Sequence, residues 1–493
     1  MGLRAHAASS TAEPAPRQTL TFAKTALIAL LLSGLLASFY GATLDDYFFH
    51  DDFVFLDRST LSSPSDLIAL FSIERNQRGL QEKSHSYRPL STNLYFGLVQ
   101  KTFGFDPRAF HLINLLTLAG IGTLLVVLLV HLGLGLWGSL ALAVIYASSS
   151  INHETQLWIA VFQELSFTLL ALFAILIHIR SDRSSRRRAV AVLGLFLLAL
   201  LCKEMALSLP AILLCWELVV RRSRLRDALT ATLPLWVAAA VYVGLRSAFL
   251  SIPFEGPYAI EVGWFLLANL GSYLDWSVEG LCSSADWRVE LALLALAAVG
   301  FRSASQQARR LAAFGALWFF LALGPVIFMP SHVYRYYLVF PVLGLVTSAA
   351  ALIGPVASRI SRKELRAGIA LVLALGLAFL SLQQFEKSAA RRERQTSRSR
   401  SILVQLRALH PELPDYTHVY LSAPGNFNLR QLLKDSGAAL RVVYGNSTLR
   451  ADPLTKKAID TIGSGSAGPI LAFTLGRDGT LREHPKNPPI PRE

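Results

Sequence analysis

Apolar stretches of near-spanning length recur along most of this chain, and they decide the solvent in which it folds. They run at about 25–43, 111–132, 136–150, 157–179, 189–201, 205–220, 229–250, 287–301, 311–329, 338–357 and 367–385. A bilayer's hydrocarbon core is about 30 Å thick and takes roughly 20 residues of apolar helix to cross. Repeated runs of this length predict a polytopic α-helical membrane protein with about 11 spans. The shortest, 136–150 and 189–201, are read as continuing into loop residues or packing inside the bundle. Composition agrees: of 493 residues, 53% are hydrophobic and only 16% charged, which excludes an ordinary soluble core.

The formal net charge is +14. Nucleic-acid binding would explain such a balance, but the arginines cluster in short loops between apolar runs, as the positive-inside rule expects. "RSDRSSRRR" (180–188), "RRSRLRD" (221–227), "FRSASQQARR" (301–310) and "ASRISRKELR" (357–366) are the basic loops. If all four are cytoplasmic, so is the N-terminus. Residues 1–24, polar and rich in Pro and Ala, are expected to be disordered there. The first run has the length of a retained signal anchor rather than a cleaved one. The segments 44–110, 150–156, 251–286 and 330–337, the bend at 202–204 and the tail then fall outside. One stretch resists: the tail opens with "EKSAARRERQTSRSR", also strongly basic. A twelfth span at 263–283 would move the tail inside. That stretch carries Asn269, Asp275 and Glu279, which suit a helix lying on the outer surface better than one facing lipid. Cys202, Cys215 and Cys282 form no spaced metal motif and say nothing firm about redox compartment.

After Gln384 the composition changes. An amphipathic helix is expected at 396–409, strands at 418–424, 440–445 and 469–475, helices near 428–437 and 453–461, and an Asp-Gly turn in "GRDGTL" closing a hairpin. Residues 386–493 thus read as a small soluble α/β domain, able to fold alone, following a transmembrane unit at 25–385 whose first external loop spans 44–110.

Ionisable residues interrupt this apolar sequence at few places. They are Asp45, Asp46, Asp51 and Asp52 after the first run, His85 and Arg88 in "SHSYRPL", and His111 and Asn114 opening the second. His153 and Glu154 follow the third. Lys203 and Glu204 lie between two short halves, and Arg335 stands among Tyr334, Tyr336 and Tyr337. Taken singly, each has an ordinary structural reading: a solvated turn, a helix cap, a snorkelling pair, an interfacial anchor. With eleven spans, every one falls on the same side, which points to a shared polar cavity at the outer face. Carboxylates can take a proton from an acceptor hydroxyl, and Arg and Lys can hold a phosphate leaving group. A sugar carried on a lipid phosphate needs both.

"FFHDDFVFL", "SHSYRPLSTNLYF" and "FHLINLL" together resemble the N-terminal half of the integral-membrane GT-C glycosyltransferases. The resemblance is closest to the transmembrane and tetratricopeptide-repeat O-mannosyltransferases and their bacterial relatives. "NHETQLW", "CKEMAL", "SYLDWS" and "RYYLVFPVLG" resemble later blocks of that family, and the match covers about 25–385. It implies a GT-C-like fold and transfer of a sugar from a polyprenyl-phosphate donor to a protein or glycan acceptor. Asp51 and Asp52 would be catalytic, with Asp52 the favoured base. His85, Arg88, His153, Glu154, Lys203, Glu204 and Arg335 would hold the donor phosphate and sugar, and Pro89 would start the next helix. No cofactor is called for, although some relatives use a divalent cation, so the metal stays unknown. The chain departs from the family in having no tetratricopeptide repeats and in carrying Tyr334 where an acidic residue usually precedes the Arg. The implied location is a bacterial inner membrane, with the site facing the periplasm and membrane lipid as neighbour. A lipid-linked sugar flippase would instead show inverted halves with broken midplane helices, and a non-catalytic scaffold would not need the acidic pair.

Overall fold

A computed structural model describes residues 19–77, 86–182, 185–250, 258–284, 286–423, 429, 432–455 and 468–484. His85 and the helical pattern expected beyond Thr455 lie outside the described residues. Among the described residues six helices are long and apolar enough to cross a membrane. They are the segment Phe22–Asp45, Pro107–His131, Ile159–Arg180, Leu225–Phe249, Gln306–Ile327 and Lys363–Leu409. The other five expected spans fall on shorter helical segments. Leu136–Ser148 and Val342–Ala357 are shorter apolar helices, and Arg186–Cys202 and Trp287–Ser303 have 17 residues each. The run at 205–220 is broken into a 3-10 turn, the helix Leu209–Cys215 and a π-helical end. The stretch weighed as a twelfth span is the helix Phe265–Cys282, held near one end by Asn269 Nδ2 donating to the carbonyls of Ile327 (3.0 Å) and Met329 (3.2 Å).

Helices that share lipid gain little from burying leucine, since lipid tails are as apolar as they are, so close approach of small residues matters more. The helices Gln306–Ile327 and Val342–Ala357 meet at Gly315 and Gly344, where a Cβ on either would collide with the other's carbonyl oxygen. Ser348 Oγ donates to Ala312 O across the same contact at 2.7 Å. The core around it buries Phe167, Phe196, Phe314, Trp318 and Phe340 completely.

The last membrane-length helix, Lys363–Leu409, has 47 residues and is therefore about 70 Å long, over twice the hydrocarbon thickness. It buries Ala374, Ala378, Ser381 and Phe385 in the bundle, then Thr396, Ser399, Ile402, Leu403 and Leu406 further on. It runs without a break through the expected domain boundary at 386, and the amphipathic stretch at 396–409 is its far end.

Beyond it, β1 (His418–Ser422), β2 (Arg450–Pro453), β3 (Ile470–Leu475) and β4 (Leu481–Glu483) form one sheet in the order β2-β1-β3-β4. β1 is parallel to β2 and β3, and β3 and β4 form an antiparallel hairpin. The hairpin closes through Asp478 and Gly479, the latter at φ +81°. Residues 440–445, expected as a strand, instead belong to the helix Lys434–Tyr444. Parallel neighbours need a crossover, usually helical. β1 and β2 are parallel, so the β-branched "RVVY" is overridden by the connection it must make. This sheet does not pack apart from the rest. Leu403, Leu406, Val419, Leu440 and Phe473 share one apolar core with Phe48, Phe53, Phe96 and Phe110 of the first loop and its neighbours.

Candidate functional site

The bundle has two chemically distinct ends. Pro107–His131 and Phe162–Arg180 both start beside the first loop and run away from it. At their far ends lie the four basic loops, tied across by Arg221 Nη2 to Ser181 O at 3.3 Å and Arg359 Nη2 to Ser303 Oγ at 2.8 Å. The interrupting polar residues gather at the near end. The basic opening of the tail joins them. Arg392 donates to Glu154 Oε2 at 2.8 Å and lies 4.1 Å over the Phe49 ring, and Arg400 lies 5.7 Å over Tyr47. Those arginines grip the first loop.

Asp51 and Asp52 open the helix Asp51–Arg58, and they differ sharply. Asp52 is 1% exposed. Its Oδ2 accepts the Phe49 N–H and its Oδ1 the Ala160 N–H, both at 2.8 Å, stitching the first loop to the 3-10 turn Ile159–Val161 that opens the fourth apolar run. Burial pushes its carboxyl up to about 8 against the pull of those amides. Both its oxygens accept backbone N–H groups, and burial favours its neutral form, which suits it less well than Asp51 to take a proton. Asp51 is 26% exposed, accepts from Lys434 and lies 3.2 Å from His50 Nδ1. Burial opposes its charge, but the His50 hydrogen bond and the Lys434 charge together outweigh burial and hold it below the usual carboxylate range. Of the pair, Asp51 is the ionised and accessible member.

Arg88 does not bridge to either aspartate. Its Nε donates to Glu204 Oε2 at 2.8 Å, its Nη2 to Glu204 Oε1, and its Nη1 to Gln163 Oε1. Burial works against the Glu204 charge, yet the Arg88 fork brings its pKa down to about 2. The next residue back, Lys203, is buried against Glu164, with its ammonium 4.6 Å over the Tyr337 ring and 5.7 Å from that of Tyr336. Pro89 starts a six-residue π-helical turn, as expected of a helix-opening proline. His332 packs against the Tyr258 ring at 4.2 Å and the Tyr334 ring at 4.7 Å, and it feels the charges of Lys203, Arg88, Asp51 and Lys434.

The other expected residues are placed at the edge. His153 Nε2 meets Ser381 Oγ at 3.0 Å, and its pKa is lowered to about 4, by burial first. Glu154 is taken by Arg392. Arg335 pairs with Glu279 and reaches Ser150 Oγ at 3.2 Å, so the acidic partner missing at Tyr334 comes from the helix Phe265–Cys282. His111 Nε2 lies 3.2 Å from Asp46 O in the first loop, and Asn114 donates its Nδ2 to Thr155 O at 3.0 Å while its Oδ1 accepts from the Tyr95 hydroxyl at 3.0 Å, so it links the first loop to the helix His153–Leu157.

Sequence reasoning missed Gln163, Glu164, Lys434 and Trp158. Glu164 and Gln163 sit in an apolar helix and signal nothing by themselves; a charge opening a buried helix was the only hint. Trp158 closes the "NHETQLW" block. Its ring lies 5.7 Å from that of His50 and 6.2 Å from that of Tyr336, and its indole N–H is buried without a partner. Among the described residues no three His, Cys, Asp or Glu side chains gather as a metal-binding group.

No family model matches the chain, and no curated protein matches it. Two solved structures are similar in chain course, both of ArnT from Cupriavidus metallidurans. The apo state has a TM-score of 0.49 at 14% identity, covering 92% of this chain and 94% of that one. The form bound to undecaprenyl phosphate has a TM-score of 0.44 at 14% identity, covering 90% and 94%.

Proposed function

We propose that this protein is a GT-C-like glycosyltransferase that moves a sugar from a polyprenyl-phosphate donor to a protein or glycan acceptor at the outer face of a bacterial inner membrane. One observation carries the reading: an ionised, partly exposed carboxylate, Asp51, and two buried cations, Arg88 and Lys203, lie at the same end of an apolar bundle. A phosphosugar on a lipid has that layout, with a tail for the bilayer and a dianionic or monoanionic leaving group for the cations. In the reaction Asp51 takes the acceptor hydroxyl proton, the acceptor oxygen bonds to the anomeric carbon, and the sugar–phosphate C–O bond breaks. The electron pair stays on the phosphate, where Arg88 and Lys203 offset it. Glu204 and Glu164 compensate those cations until the donor arrives.

Purified protein incubated with a panel of polyprenyl-phosphate sugars, followed by mass spectrometry, tests this. Consumption of one donor with release of polyprenyl phosphate is the expected result. A folded protein that cleaves none of them, or that moves a donor across proteoliposome membranes without cleaving it, would sink the proposal.

A further inference from the structure

We propose that Lys434 is a positioning residue for the Asp51 carboxylate, so that the C-terminal domain completes the site and transfer requires that domain docked on the first loop. This rests on the reading of Asp51 given above. Lys434 reaches Asp51 Oδ1 and lies 3.4 Å from His50 Nδ1. It does not act as the anchor, because two other pairs already hold the same two helices together. Arg58 pairs with Asp435 at 2.7 Å and Arg441 with Asp57 at 2.9 Å, all four side chains nearly buried. Beneath them the shared apolar core joins loop and sheet. With the docking so secured, the ammonium of Lys434 is left for the carboxylate, and it is 35% exposed there.

The backbone points the same way. His50, Asp435 and Ser436 all have positive φ, at 52°, 50° and 47°. Non-glycine residues there are strained and persist only where their surroundings hold them. Gly437 follows at φ +99°, and a Cβ on it would press against the Ala451 backbone. Two strained segments, one from each domain, thus meet at one carboxylate. The charged and titratable groups facing Asp51 are His50 and Asp52 beside it, Arg58 from its own helix, Lys434 from the tail, and His332, Tyr258 and Tyr336 from the later loops. Of these, His50 and Lys434 touch the carboxylate, and Lys434 is the one that comes from the tail.

The test compares the full-length protein with Lys434→Met and Lys434→Arg, measuring kcat/KM against pH on the donor that the wild type consumes. Losing an opposite charge at contact distance raises a carboxyl pKa by about one unit or more. The acid limb for Lys434→Met should move up by that amount, with most of the rate recovered above the limb and the limb restored in Lys434→Arg. Donor turnover with an unmoved limb, or an equal loss at every pH, overturns the inference while leaving the transferase reading intact. A donor-independent arm uses a zero-length carbodiimide on the wild type. An amide joining the peptides of Asp51 and Lys434 is expected by mass spectrometry, and should vanish in Lys434→Arg. Its absence in wild type overturns the docking itself, whether or not any donor is consumed.

Discussion

Replacing Asp51 and Asp52 by Asn, one at a time, should separate chemistry from architecture. The two changes are isosteric and adjacent, so any difference comes from what surrounds each side chain. At Asp52, both oxygens accept backbone N–H groups at 2.8 Å. An Asn can present its oxygen to only one of them, and its NH₂ then faces the other donor. One buried amide is left without a partner, which costs about 1–3 kcal/mol. At Asp51 the carboxylate pairs with a partly exposed lysine, and such a pair contributes about 0–1 kcal/mol. Stability should therefore fall in Asp52→Asn and barely change in Asp51→Asn, followed by tryptophan fluorescence on heating in detergent. Activity should do the reverse: Asp51→Asn loses about 10²-fold or more in transfer, the scale of lost general-base help, while folded Asp52→Asn keeps most of its rate. The pH dependence adds a sign. Burial raises the Asp52 pKa in the fold from 3.8 to about 8, so the stability its neutral form contributes is complete below the unfolded value and is lost progressively as pH rises from there through 8. The gap between wild type and Asp52→Asn should narrow across that window and change no further above it. An Asp52→Asn protein as stable as wild type but inactive, beside an active Asp51→Asn, would refute the assignment.

Arg88→Ala should raise the donor KM by roughly 10–100-fold, the worth of a charge-assisted phosphate contact, and Arg88→Lys should recover part of that because a point charge lacks the fork that now grips Glu204. Unchanged donor KM in both would remove Arg88 from the phosphate site. Gly344→Leu should cost most of the folded yield, measured by size-exclusion of detergent extracts, since the new side chain runs into Gly315 O and the Trp318 side chain; normal yield would mean the helix crossing is looser than described. Single cysteines at Ser331 and Gln307, in a background lacking Cys202, Cys215 and Cys282, test orientation: an impermeant maleimide should label the first and spare the second in intact spheroplasts, and the opposite pattern would invert the topology.

The clustering of polar residues at one end was legible because interruptions in apolar sequence are few and every one of them is costly in a bilayer. Arg88, Lys203 and Glu204 stood out for that reason. Their pairing did not. Arg88 could have met Asp51 or Asp52 across the loop, and it meets Glu204 and Gln163 instead, side chains distant in sequence. The basic start of the tail, which spoiled the charge count, is explained by Arg392 and Arg400 reaching the first loop. Positive charge there is used on the protein, and a rule about loops and membranes has no means of seeing that.

The sequence by itself determined the solvent, the helical class and which residues were too expensive to be incidental, since hydrophobic length and charge are local quantities counted along the chain. Only the tertiary structure decided what each charge does. Asp51 and Asp52 are neighbours of identical chemistry, yet one has both oxygens against backbone amides and the other faces a lysine nearly four hundred residues away. The strand expected at 440–445 became a helix because two parallel strands, distant in sequence, required a crossover there. Ionisation, partner and accessibility are properties of the surroundings, and those surroundings are assembled from segments that no local pattern connects.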